Sequence, residues 1–122
     1  MRLEDAAKLL HGTFLCGENQ KETEIDRAYA ADLLSDVLAL TEERTTLITG
    51  TISPQVVKVA DILNVIAIIF VRGKRPAPNL IEYARCLGIP LVFTEKTMFE
   101  TCGLLYTQGV KPCKNRPVCR LK

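Results

Sequence analysis

Arg72, Lys74, Arg75 and Lys96 stand in two short segments, and Thr51 and Ser53 in a third. Side chains of these types bind anionic oxygen. A guanidinium fork matches a phosphate or carboxylate in two places, and hydroxyls add further hydrogen bonds. Gly73, between Arg72 and Lys74, lets the backbone come close to a ligand. Ser53 followed by Pro54 is the signature of an N-cap and a first helical position. The amides of such a helix start suit a negative charge. The chemistry these residues offer is therefore anion binding, with a phosphate or nucleotide as ligand. The same residues also describe an ordinary basic loop kept soluble by its charge.

No catalytic constellation accompanies them. His11 is the sole histidine, and it falls at the end of a helical segment, where a cation suits the dipole. No orienting acid and nucleophile are spaced to work with it. Asp32 and Asp36 are four apart, which on a helix puts both on one side. No further carboxylate or histidine completes a metal set around them, so they read as a solvated face or a dimer contact. The five cysteines, Cys16, Cys86, Cys102, Cys113 and Cys119, contain no pair at zinc-knuckle or redox-motif spacing. Cys86 and Cys102 fall on apolar faces of predicted helices and read as buried core residues. Neither spacing nor compartment favours a metal or disulfide at Cys113 and Cys119. Gly50–Pro54 lacks the lysine and glycine pattern of a phosphate loop, and no Gly-x-Gly-x-x-Gly occurs. Kinase activity is excluded on that basis. The expectation is a protein that is not an enzyme and needs no cofactor or metal.

The elements that must position the loops follow from periodicity. Leu3, Ala6, Ala7 and Leu10 form one helical face that Gly12 can end. Residues 13–16 fit a short strand, and 17–23 a polar loop. Ile25–Ala30 fits a strand or a helix entry. Ala30, Leu33, Leu34, Val37 and Leu38 make the next helical stripe. From Thr46 the order becomes regular: strand 46–49, helix from Pro54, strand 65–71, helix around Leu80–Leu87, strand 89–93, and a helix opened by a Thr97–Glu100 capping box. Val65–Val71 is apolar at every position, the mark of a parallel strand covered on both faces. Alternating strands and helices imply parallel strands with helical crossovers. In open sheets of this kind ligands bind beyond the carboxyl ends of the strands. There the loops 50–53, 72–75 and 94–96 should meet, bringing Thr51, Ser53, Arg72, Gly73, Lys74, Arg75 and Lys96 together.

Composition agrees with that architecture. The chain has 122 residues, 48% hydrophobic and 25% charged, and a formal net charge of +2. This is the size of one domain with its own core. The longest apolar run, 65–71, is far short of the ~20 residues a membrane span needs. The acidic residues near Met1 do not fit a signal peptide. A charge of +2 gives no ground for nucleic-acid binding. A cytoplasmic protein with no membrane or nucleic-acid partner is expected. Residues 1–110 should form the domain. Residues 111–122, with five basic side chains and no acid, should form a flexible basic tail.

Several segments resemble a known family. They are Ala31–Ala39 (ADLLSDVLA), Leu47–Thr51 (LITGT), Val65–Gly73 (VIAIIFVRG), Ala84–Val92 (ARCLGIPLV) and the capped last helix. The pattern, from about Ala6 to Gly109, resembles the DRTGG domain family and in particular its small stand-alone members. At the positions that give the family its name, this chain reads Gly50-Thr51-Ile52-Ser53 and Arg72-Gly73. The resemblance implies a single α/β domain with a small, largely parallel central sheet flanked by helices, similar to the N-terminal domain of HPr kinase/phosphorylase. It further implies a homodimer and a regulatory or accessory role instead of catalysis. Small members are also similar to proteins grouped with iron-only hydrogenase and electron-transfer components, which suggests a protein partner from such a system.

Overall fold

The structure, a computed structural model, describes residues 1–113. The strands are β1 (Thr13–Cys16), β2 (Arg27–Ala30), β3 (Thr46–Thr49), β4 (Ala67–Phe70), β5 (Leu91–Phe93) and β6 (Lys111–Pro112). The helices are α1 (Leu3–Leu9), α2 (Leu34–Leu40), α3 (Pro54–Ile62), α4 (Pro78–Leu87) and α5 (Met98–Thr107). The strands form one sheet in the order β1-β5-β4-β3-β2-β6. All neighbours are parallel except β1, which closes one edge antiparallel to β5. The single α/β domain with a largely parallel sheet is thus the observed architecture.

Side chains alternate between the two faces of each strand. Leu47, Ile68, Phe70 and Leu91 pack with residues of α2, α3 and α4. Ile48, Ala67, Ile69 and Val92 pack with residues of α1 and α5. Every residue of β4 is fully buried, as an apolar run covered on both faces requires. The steps β2-α2-β3, β3-α3-β4 and β4-α4-β5 move one strand at a time across the sheet. The chain then returns through α5, on the opposite face, to add β6 at the far edge.

Local chemistry sets the ends of most elements. Ser53 caps α3, its Oγ accepting from Gln55 N–H at 3.1 Å, and Pro54 takes the first turn. Thr97 and Glu100 form the reciprocal capping box of α5. Asn64 (φ 57) and Gly88 (φ 74) take the left-handed conformations that end α3 and α4. At the end of α1 the left-handed residue is His11 (φ 52) and not Gly12. Its N–H donates to the Lys8 carbonyl at 3.1 Å, and that of Gly12 to Ala7 at 2.7 Å, a paired helix stop. Gly12 is small for a different reason: a Cβ there would lie 2.9 Å from the Phe93 carbonyl oxygen.

Several expectations need correction. The helical stripe expected from Ala30 becomes a helix only at Leu34, so Asp32 lies before α2 and does not share its face with Asp36. Ala30 belongs to β2, and Leu33 and Leu38 are 61% and 47% exposed because α2 meets the core mainly through Val37 and Leu34. Cys86 is exposed, since α4 turns Leu80 and Ala84 inward instead. Tyr106 is also exposed; α5 buries Thr101 and Leu105. Lys111 and Pro112 pair with Arg27 and Ala28 in the sheet as the short edge strand β6. A proline is tolerated there because β6 is an edge. The remainder of the expected tail, including Cys119, lies outside the described residues.

Candidate functional site

β2, β3, β4 and β5 all deliver their carboxyl ends to one side of the molecule, as parallel neighbours must. The helix after β4 lies on one face of the sheet and the helix after β5 on the other. Such a divergence opens a crevice between two strand ends in many α/β proteins. Here the backbone closes it. Arg72 N–H donates to the Lys96 carbonyl at 2.8 Å, and Gly73 N–H to the Thr94 carbonyl at 3.1 Å. The Thr94 hydroxyl is buried and donates to the Leu10 carbonyl at 2.8 Å, tying this loop to α1.

Closing the crevice directs Arg72 elsewhere. Its backbone is left-handed (φ 66), and its side chain lies across the end of β3. A Cβ on Gly50 would sit 2.7 Å from Arg72 Cζ, so a side chain there would push the guanidinium from this position. Arg72 Nη2 then meets Asp32 Oδ2 at 3.3 Å. The other carboxylate oxygen, Oδ1, accepts from Gly50 N–H at 2.7 Å and from the Thr49 hydroxyl at 3.3 Å. The Thr51 hydroxyl donates to the Asp32 backbone carbonyl at 2.8 Å, and Thr51 N–H donates to Thr49 Oγ1 at 3.1 Å. Three strand ends thus converge on one carboxylate. Asp32 and Arg72 are 44% and 42% exposed, so water screens the pair.

The residues expected at the site are placed unequally. Thr51 and Arg72 meet through Asp32, and Gly73 (φ 68) stitches the β4 loop to the β5 loop. Ser53 is engaged in capping α3. Lys74 is exposed, and the Arg75 guanidinium stacks 5.1 Å above the Phe93 ring. Lys96 lines a cleft of about 390 Å³ with His11, Glu95 and Glu100. Asp32, Thr49 and Gly50 were not singled out as site residues by sequence. The one available signal was that Asp32 follows a strand directly, where parallel sheets gather their polar groups.

Two further features bear on chemistry. An apolar groove of about 360 Å³ runs between α5 and β2, floored by Ala28, Ala30 and Ile48 and rimmed by Phe99 and Tyr106. Burial pushes the Cys16 and Cys102 thiols above the usual range, which opposes an activated thiolate. Among the described residues no group of three or more His, Cys, Asp or Glu side chains is placed to hold a metal ion.

No family model and no curated protein matches the sequence. The fold does match solved structures. One is the CBS and DRTGG domains of the regulatory region of Clostridium perfringens pyrophosphatase, complexed with its activator diadenosine tetraphosphate. The TM-score is 0.73 at 17% identity, over 97% of this chain and 52% of that one. This chain therefore spans about half the length of that structure. The likeness is one of fold, and it is the fold that the DRTGG resemblance implied. Among the described residues no helix is long and apolar enough to cross a membrane.

Proposed function

We propose that this chain is a non-enzymatic regulatory domain that senses an anionic ligand, a phosphate or nucleotide, at the carboxyl ends of its parallel strands. One observation carries the reading. The Arg72 guanidinium, the Gly50 amide and the Thr49 hydroxyl converge on a single pair of anionic oxygens. That is a donor set for an oxyanion, prepared by the fold and half open to solvent. Thr51 is bonded to the Asp32 carbonyl beside this donor set, and Ser53, Gly73, Lys74 and Lys96 are the further residues proposed to add hydroxyl, backbone and positive charge. The neighbouring fold supports the reading, since that regulatory region was solved with a nucleotide activator bound. Burial raises the Cys16 and Cys102 thiols, which disfavours these two as nucleophiles.

The test is calorimetry with ATP and with inorganic phosphate. Replacing Arg72 with Ala removes a charge-assisted bond worth roughly 1.5–3 kcal/mol and should weaken binding about tenfold or more. No binding to the unchanged protein at ~1 mM ligand would remove the sensor reading. The domain would then be an accessory module working in the cytoplasm on a protein partner, of the hydrogenase or electron-transfer kind that the family resemblance suggests.

The proposed assembly is a homodimer, supported by the exposed Leu33 and Leu38 at α2. Sedimentation should give twice the 13.6 kDa chain mass, and Leu38→Lys should shift it toward the monomer.

A further inference from the structure

We propose that the Asp32 carboxylate is a built-in stand-in for the ligand, and that an arriving anion displaces it and releases α2. This deepens the anion-sensing reading above and rests on it. A carboxylate and a phosphate offer a guanidinium the same pair of oxygens. Here the pair comes from the chain itself. The donors lie on β3 and the β4 loop, whereas Asp32 lies between β2 and α2. The contact therefore ties a separate segment to the site, and that segment holds the position an external anion would take.

Displacement is easy on the structure's own terms. The ion pair is nearly half exposed on both sides, and exposed pairs contribute little. A phosphate brings more charge and a third oxygen than the carboxylate it would replace. Arg72 need not travel far, because Gly50 leaves its guanidinium resting over the end of β3.

What Asp32 holds is a weakly anchored helix. α2 is seven residues long, its N-cap position is Leu33, and no side chain caps it. Among its residues of described burial, Val37 alone is fully buried, and Leu33 and Leu38 face outward. The chain entering α2 is fixed by the Ala31 N–H on the Ile48 carbonyl, by the Asp32 side chain and by the Thr51 hydroxyl on the Asp32 carbonyl. Removing the carboxylate from its donors takes away the side-chain anchor nearest α2. Binding and α2 release are then linked, and each must favour the other by the same factor.

The experiment pairs ATP calorimetry with amide exchange of residues 34–40 on the full chain and on Asp32→Ala. The proposal predicts that Asp32→Ala binds ATP about tenfold or more tightly, within the usual range of such couplings. It also predicts that α2 of unliganded Asp32→Ala exchanges as fast as α2 of the unchanged protein saturated with ATP. Asp32→Asn keeps an acceptor for the Gly50 amide but loses the charge, so its gain should be smaller; it also serves if Asp32→Ala does not fold. If the unchanged protein binds ATP and the variants bind it equally or more weakly, Asp32 belongs to the ligand's shell and the proposal is overturned. Unchanged α2 exchange on ATP binding overturns it as well. Binding by neither the parent nor the variants would sink the anion reading itself, an outcome recognisably different from these two.

Discussion

α2 and α3 are consecutive helices on the same face of the sheet, yet they are held in opposite ways. α3 carries its own instructions: Ser53 caps it, Pro54 opens it, and Val56, Val57, Val59 and Ala60 are buried. α2 has no side-chain cap, and among its residues of described burial only Val37 is fully buried, with Leu33 and Leu38 exposed beside it. Its entry is fixed by Asp32, whose partners come from two other strand ends. A seven-residue helix without a side-chain cap is marginal by itself. The contrast teaches that this domain keeps a rigid half, built from local signals, beside an element whose position depends on one polar cluster. Switching segments are drawn from such low-stability elements.

The largest effect that could break this contrast is in the core. Val56→Ala should cost about 2–3 kcal/mol in global denaturation, since a fully buried side chain leaves a cavity. Val37→Ala removes the same atoms from an equally buried position. Its cost should appear mainly as faster amide exchange confined to α2, with a smaller global loss. Equal denaturation losses at the two sites would mean that α2 is as integral as α3.

The caps sharpen the comparison at a smaller scale. Ser53→Ala should cost about 1 kcal/mol. The reverse change at the matching position of α2, Leu33→Ser, made on the Leu38→Lys monomer, should stabilise by about 0.5–1 kcal/mol, because in the single chain Leu33 is 61% exposed and has little burial to lose. Chemical denaturation measures both, and a loss on Leu33→Ser would show that Leu33 packs in solution.

The smallest effect is at α5, the other helix with its own cap. The backbone and hydroxyl hydrogen bonds from Thr97 hold Glu100 below the usual carboxylate range. A carboxylate depressed on folding contributes stability above its unfolded value and loses it as pH falls through the folded one. Glu100→Gln should remove that acid-side decline and leave stability near pH 7 slightly reduced. An unchanged acid limb in the pH–stability curve would show that the capping box does not persist.

The same division explains what sequence could reveal. β4 was legible because seven apolar residues in a row admit few other environments, and α3 and α5 because their caps are local in the chain. The start of α2 was not, since an unbroken Leu and Ala stripe gave no sign that Asp32 is drawn to Arg72, forty residues on. The pairing of β6 with β2 and the exposure of Cys86 and Tyr106 likewise depend on distant contacts. Of the site, the loops and Arg72 were visible as basic strand ends. Asp32, the group that joins them, carries the opposite charge and stood outside the pattern being sought.

Anion binding where Arg72, Gly50 and Thr49 meet is what separates a sensor from an accessory module. The most direct measurement is an ¹⁵N-resolved titration of backbone amides with ATP up to ~1 mM, a range that reports weak sites. The prediction is a saturating change at Gly50, Thr51, Arg72 and Gly73, accompanied by line changes across α2. No change at these amides, or changes confined to the Phe99–Tyr106 groove under α5, would contradict it.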